Sequence, residues 1–345
     1  IIGVDTGGTF TDFVARLIPS HPNEPERTFT HKVLSTPHDP GEAVLTGLDQ
    51  LLALSGLRTP ARERKVVHGS TVATNALLER KGVRTAFVTT EGFTDILHIG
   101  RQVRRELYSL RPKADPFFVP PEGCFGVNER VDAAGYVLEP LTESSIDTLV
   151  TRLRHYGATS VAVCLLFSFL APEHEKRIAA RLREAGFFVS ASHEILPEHR
   201  EYERAATTAV NAYVSPLMER YLKRLEQGLK GRGIERMHVM QSNGGTISPG
   251  IAGTQGVHTV LSGPAGGVVG AASAARRFGR TRIITFDMGG TSTDVSLVPG
   301  TLQVTTEGTI DNIPVRIPLL AIHTVGAGGG SLATIDRGGA LRVEI

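Results

Sequence analysis

The chain has 345 residues, 41% of them hydrophobic and 21% charged, with 37 basic against 35 acidic side chains. That composition suits a globular protein of two or three domains that needs no metal or disulfide staple. The near-balanced charge gives no support for a nucleic-acid or anionic-membrane surface, and no apolar run approaches the roughly 20 residues of a membrane helix.

The chain opens in an apolar run, Ile1-Ile2-Gly3-Val4, followed by Asp5-Thr6-Gly7-Gly8-Thr9-Phe10-Thr11-Asp12 and a second apolar run through Leu17. This pattern predicts strand, glycine turn, strand. Residues 27–33 predict a third strand and residues 41–54 a helix. Residues 65–67 predict a short strand that enters His68-Gly69-Ser70-Thr71, a loop opening a helix that ends at Gly82. Residues 84–89 predict another strand. Residues 98–140 carry many charges, several prolines and little periodicity, which suggests an ordered insertion or a long active-site loop, with substrate specificity expected within 90–135. Arg101, Arg104 and Arg105 lie there, placed either to meet a substrate carboxylate or as a solvated charged face.

Residues 141–156, 160–167, 172–185 and 187–192 alternate helix and strand, an inserted α/β subdomain. Residues 201–229 predict a long helix, interrupted near Pro216, on which Glu203 and Arg204 either pair across lobes or form ordinary surface. A strand at 236–240 leads to the turn Gln241-Ser242-Asn243-Gly244-Gly245, where Ser242 and Asn243 are candidate substrate contacts. Ser262-Gly263-Pro264-Ala265-Gly266-Gly267 opens a small-residue helix whose N-terminus is a candidate anion site. Gly328 and Gly329 sit in a later glycine loop after a strand. The two cysteines, Cys124 and Cys164, fit no metal spacing and suggest a reducing, cytoplasmic setting, with Cys164 a core residue. The strand-like ends and the absence of an initial Met read as a fragment of a longer polypeptide.

Residues 287–294, Asp-Met-Gly-Gly-Thr-Ser-Thr-Asp, match residues 5–12 at six of eight positions, with apolar runs on both sides of each copy. Paired glycines permit positive φ and close approach to a ligand, and their bare N–H groups line a concave anion site. Thr9, Thr11, Thr291 and Thr293 add hydroxyl donors beside Gly7, Gly8, Gly289 and Gly290. Asp5 and Asp287 end their strands toward the same space, and carboxylates beside phosphates imply an intervening Mg²⁺. Two such hairpins face to face would clamp the phosphates of a nucleotide. Asp12 and Asp294 close each motif, as site acids or as turn residues bonded locally. His68 either polarises a phosphate or substrate or is a neutral structural histidine.

These motifs, together with Ala206-Thr207-Thr208-Ala209-Val210-Asn211-Ala212-Tyr213 and Val325-Gly326-Ala327-Gly328-Gly329-Gly330-Ser331, resemble the hydantoinase A/5-oxoprolinase family across the whole chain and in the family's order. The resemblance implies an actin-like ATPase fold, α/β with two ribonuclease-H-like lobes. Their expected extents are 1–200, with the first hairpin and the inserted subdomain, and 201–345, an incomplete second lobe. It implies ATP and Mg²⁺ as cofactors, opening of a cyclic amide such as a hydantoin, 5-oxoproline or a lactam, and a hydantoinase B-type partner, separate or fused. Other members carboxylate ketones, as acetone and acetophenone carboxylases do, and the phosphate motifs do not separate the two chemistries. Phosphorylating an amide oxygen makes it a leaving group, which asks for positioning and charge neutralisation rather than a protein nucleophile. A nucleotide-switch protein or a sugar kinase on the same fold are the remaining readings.

Overall fold

The computed structural model describes residues 1–18, 26–36, 38–54, 63–103, 108, 110, 117–289 and 292–344. Strands β1 (Ile2–Thr6) and β2 (Phe10–Leu17) form a hairpin that β3 (Arg27–Leu34) extends. Ile2, Val4 and Thr6 on β1, and Thr11, Phe13 and Ala15 on β2, are buried, the alternation expected of strands with one face on a core. Helix α1 (Pro40–Leu54) covers that face with Val44, Leu48 and Leu51. A Cβ at Gly47 would lie 2.4 Å from the Phe13 ring, so glycine there permits the close approach.

Strand β4 (Lys65–Ser70) runs parallel to β1 and leads into α2 (Val72–Leu78). The helix stops before the expected Gly82, and the left-handed residue after it is Arg80, at φ 55°. Gly82 serves packing instead: a Cβ there would sit 2.2 Å from the Tyr213 ring.

Strand β5 (Thr85–Thr90) begins a second sheet, and all six of its residues are buried, as in a parallel strand covered on both faces. Then follow α3 (Ile96–Ile99), β6 (Cys124–Val127), a small hairpin of β7 (Arg130–Val131) and β8 (Val137–Glu139), α4 (Glu143–Tyr156), β9 (Ser160–Val163), α5 (Glu173–Glu184), β10 (Phe188–Ala191) and α6 (Ser192–Ile195). The sheet order is β10-β9-β5-β6, all parallel, so the alternation read from the sequence builds a separate α/β layer with its own core.

Helix α7 (Glu201–Lys230) runs unbroken through Pro216. Proline removes the N–H that would bond the carbonyl four residues earlier; that carbonyl, on Ala212, accepts from Ser160 Oγ at 2.6 Å instead. Strands β11 (Arg236–Met240) and β12 (Thr246–Ile247) return to the first sheet, giving the order β12-β11-β4-β1-β2-β3. Sheet membership therefore does not follow a division at residue 200, because β11 pairs in parallel with β4.

After α8 (Pro249–Thr254), α9 (Ser262–Arg277) packs Ala265, Val268 and Ala272 against Val298 and Leu320. Strands β13 (Arg282–Met288) and β14 (Thr293–Pro299) form the second hairpin, followed by β15 (Val304–Thr305), β16 (Gly308–Ile310), β17 (Ile313–Val315), β18 (Leu319–Leu320), β19 (His323–Val325), β20 (Leu332–Ile335) and β21 (Leu341–Glu344). The antiparallel order β13-β14-β19 parallels β1-β2-β3. Among the described residues no helix is long and apolar enough to cross a membrane. Cys164 is buried, and both cysteines are free thiols. Burial pushes Cys164 up to about 11 and Cys124 up to about 12, which leaves both unreactive as thiolates at neutral pH.

Candidate active site: a cleft between two hairpins

The two motifs share one geometry. Asp5 stands opposite Asp12 and Thr6 opposite Thr11; Asp287 stands opposite Asp294 and Met288 opposite Thr293. Each turn closes with the same bond, Gly7 N–H to Phe10 O at 3.0 Å and Gly289 N–H to Ser292 O at 2.9 Å. The glycines are not there for positive φ, contrary to the expectation: none of Gly7, Gly8 and Gly289 is left-handed. What glycine supplies is room. A Cβ on Gly7 would crowd Phe10 O at 3.3 Å, and the space beyond Gly8 is open for 4 Å. Gly290 and Thr291 lie outside the described residues.

Helix α9 joins the two hairpins. Its N-terminus is pinned to α2 and to the end of β4, where Leu261 N–H donates to Thr74 Oγ1 at 3.0 Å and Ser262 Oγ to Ser70 O at 3.2 Å. A Cβ at Gly263 would fall 3.3 Å from Asp5 Oδ1, and one at Gly267 would fall 3.9 Å from Asp287 Oδ2. Residues four apart share a helix face with Cβ atoms about 5–6 Å apart, so the two carboxylates lie within roughly 13 Å of each other. Gly69 completes the floor, because a Cβ there would be 2.8 Å from Asp5 Oδ1. Asp5 remains open to solvent at the mouth of this recess but is closely walled. Desolvation, then the charges of Asp12 and Asp287, raise its pKa above the ordinary 3.8.

The other expected residues divide. Thr9 is exposed beside the open space at Gly8. Thr11 and Thr293 are buried, and their hydroxyls are engaged away from the cleft, Thr11 Oγ1 with Ser35 Oγ at 3.0 Å and Thr293 Oγ1 donating to Ala327 O at 2.6 Å. They brace the turns instead of reaching a ligand. The loop carrying Gly328 and Gly329 docks on the second turn, with Gly329 N–H donating to Gly289 O at 2.9 Å. Asp12 pairs with Lys32 at 2.9 Å, and Asp294 accepts from Thr324 Oγ1 at 2.6 Å, so both closing acids have local partners.

His68 is wholly buried, with Nε2 2.7 Å from Tyr221 Oη, and burial pushes it down to about 4. It is a neutral histidine behind the floor, with no surface on the cleft. Ser242 is buried and donates to the His258 and Val260 carbonyls, and Asn243 Oδ1 caps Gly245 N–H at 2.8 Å, so both side chains shape the turn. Arg101 is distant from the hairpins. It pairs with Glu203 near the start of α7, Nη2 to Oε1 at 2.6 Å, whereas Tyr221, eighteen residues later on α7, is the residue beside His68. At 1.5 Å per residue that separation is about 27 Å. Arg204, expected either to pair across lobes or to form helix surface, is fully buried and donates to Ser168 Oγ at 2.6 Å and Leu165 O at 2.9 Å. Arg104 and Arg105 lie outside the described residues. Sequence reading missed the roles of Gly69, Gly263 and Gly267; their only signal was glycine inside quoted motifs, which does not say what each one faces.

Among the described residues no group of three or more His, Cys, Asp or Glu could hold a metal alone. Asp5 and Asp287 nevertheless suit a hydrated divalent cation that completes its shell with phosphate oxygens. The desolvated Asp5 and the open space at Gly8 are the observations that fit it.

The family model for the hydantoinase/oxoprolinase N-terminal region matches residues 1–186, and that for hydantoinase/oxoprolinase matches residues 204–345. The chain is 35% identical to the alpha subunit of caprolactamase from Pseudomonas jessenii over 99% of its own length and 50% of the subunit's. It is 34% identical to 5-oxoprolinase of Saccharomyces cerevisiae over 98% of its length and 29% of that protein's. A crystal structure of ATP-dependent caprolactamase from Pseudomonas jessenii superposes with TM-score 0.85 at 32% identity, over 99% of this chain and 50% of that one. Nucleotide-free acetone carboxylase superposes with TM-score 0.81 at 28% identity, again over 99% and 50%. The chain thus spans half or less of the length of these relatives. On its motifs, its paired hairpins and these matches, it belongs to the hydantoinase/oxoprolinase family and has the actin-like ATPase fold.

Proposed function

We propose that the protein carrying this chain opens a cyclic amide at the expense of ATP, with the nucleotide's phosphates held between the β1–β2 and β13–β14 turns. The observation that carries the reading is the placement of Asp5 and Asp287 along one face of α9, at Gly263 and Gly267. An amide is a poor electrophile. Transfer of the γ-phosphoryl group to its oxygen supplies a leaving group. Water then attacks the carbon, the adduct expels the ring amine so that the C–N bond breaks and an acyl phosphate remains, and a second water cleaves that acyl phosphate to carboxylate and phosphate.

In this reading the backbone N–H groups of the turns and the α9 N-terminus orient the polyphosphate and offset its charge. Thr9 adds a hydroxyl. Asp5 and Asp287 would hold Mg²⁺, which supplies charge neutralisation when bound. Gly69, Gly263 and Gly267 keep the carboxylates in place by leaving them space. His68 has no catalytic part in this scheme, nor have Ser242 and Asn243, and Arg101, held by Glu203 at the start of α7, takes no part in it. The relative named as a subunit supports a second polypeptide as partner, and the family resemblance suggests that it is of the hydantoinase B type.

A second reading, the ATP-using part of a ketone carboxylase, is favoured by the likeness to acetone carboxylase. ATP turnover by the full-length protein with its partner should be measured against lactams, hydantoins, 5-oxoproline, and ketones with bicarbonate. Stimulation by a cyclic amide is the expected result, and bicarbonate-dependent turnover with a ketone would replace this reading with the carboxylase. Asp287→Ala is expected to abolish Mg-dependent turnover at unchanged fold, and undiminished turnover would remove Asp287 from the site.

A further inference from the structure

A cavity of about 430 Å³ lies at the N-terminal end of α7, bounded on its far side by the β16–β17 hairpin. The hairpin wall is anchored, with Arg316 N–H donating to Thr207 Oγ1 at 2.9 Å and Arg80 paired to Asp311 at 2.9 Å. Five charged side chains line the cavity: Arg101, Arg200, Glu203, Glu307 and Arg316. Arg101 is matched by Glu203 at 2.6 Å, and Arg316 by Glu198, from outside the cavity, at 2.9 Å. Arg316 Nη1 is nonetheless buried with no hydrogen-bond partner among the described residues. Among the described residues Arg200 and Glu307 form no salt bridge, although the Arg200 charge also acts on Glu203.

After the internal pairs are set aside, one cation, Arg200, and one anion, Glu307, line the same space. A simple anion would meet Glu307, and a simple amine would meet Arg200. A molecule carrying both charges satisfies both walls. We infer that this cavity binds an amino-acid zwitterion, its carboxylate on Arg200 and its ammonium on Glu307.

The cavity lies at the start of α7, about 27 Å along that helix from Tyr221, the residue beside His68. It goes beyond the proposed activity and does not rest on it. Opening a cyclic amide yields an amino acid, so product sensing is the role it would have if that activity holds.

The test is calorimetric titration of the full-length protein with 6-aminohexanoate and with L-glutamate, and with hexanoate and hexylamine as single-charge controls. Binding of at least one zwitterion is expected, at least about tenfold tighter than either control, as loss of a charged hydrogen bond requires. Arg200→Gln and Glu307→Gln are each expected to weaken it by a similar factor at unchanged melting temperature. Binding should persist in an Asp5→Asn background, which separates this site from the cleft. The inference is overturned if neither zwitterion binds, if hexanoate or hexylamine binds as tightly, if both cavity variants retain wild-type affinity, or if Asp5→Asn abolishes binding. These readouts do not depend on ATP turnover, so failure of the proposed activity would leave them intact.

Discussion

Asp5 carries a conflict between stability and function. Its carboxylate is desolvated against Gly69 and Gly263 and feels Asp12 and Asp287, all of which raise its pKa above 3.8. An acid with a raised folded pKa stabilises the native state fully below pH 3.8, and that contribution is lost as pH climbs through the folded value. Without nucleotide, Asp5→Asn should therefore melt higher than wild type at pH 7, with the difference shrinking toward pH 3.8, while ATP turnover is lost. Thermal unfolding at several pH values checks this, and an Asn variant that melts lower at pH 7 would contradict it. The twin motifs and their acids were legible from residue identity, because glycine turns and strand ends are local features. That Thr9 is exposed while Thr11 and Thr293 are buried was not legible, since Thr9 sits in the turn ahead of β2 and only packing says which face of each strand is covered.

At the scale of elements, the inserted layer is fastened to α7 by a buried polar network. Glu175 is fully buried and accepts from Leu165 N–H at 3.0 Å, His193 N–H at 2.8 Å and Ser192 Oγ at 3.0 Å. Burial by itself would raise its pKa, but the bonds from His193 and Leu165 outweigh burial and lower it. Arg204 reaches the same segment through Leu165 O and Ser168 Oγ. Glu175→Leu strands several buried donors at once and should cost about 3 kcal/mol or more, read as a lower urea midpoint, whereas nucleotide affinity at the distant cleft should change little. A midpoint within error of wild type would show the network to be dispensable. Sequence periodicity placed α4, β9, α5 and β10, yet left Arg204 either pairing across lobes or on the surface, because a charge in the run Arg200-Glu201-Tyr202-Glu203-Arg204 gives no sign of the Leu165 carbonyl that receives it.

For the molecule as a whole, the paired hairpins are carried by different sheets, and α9 is the element against which both acids rest. A ligand that contacts both turns stabilises the arrangement by mass action, by about 2.7 kcal/mol at a hundredfold excess over Kd. Mg-ATP is therefore expected to raise the melting temperature of the full-length protein. ATP with a chelator should raise it far less, and Asp287→Ala should erase the difference between the two. An equal shift with and without Mg²⁺ would argue against a metal on Asp5 and Asp287.

The residue order by itself determined the hairpin repeat, the alternation of helix and strand and the family, since turn chemistry, strand alternation and helix spacing act over a few residues and leave their mark on neighbours in the chain. Tertiary structure alone decided that Gly263 and Gly267 present the two acids on one helix face, that His68 lies behind the floor, that β11 completes the first sheet, and that Arg200 and Glu307 share a cavity. Those outcomes join residues far apart in sequence, and such meetings are set by how whole layers pack, for which no short stretch of sequence carries a signal.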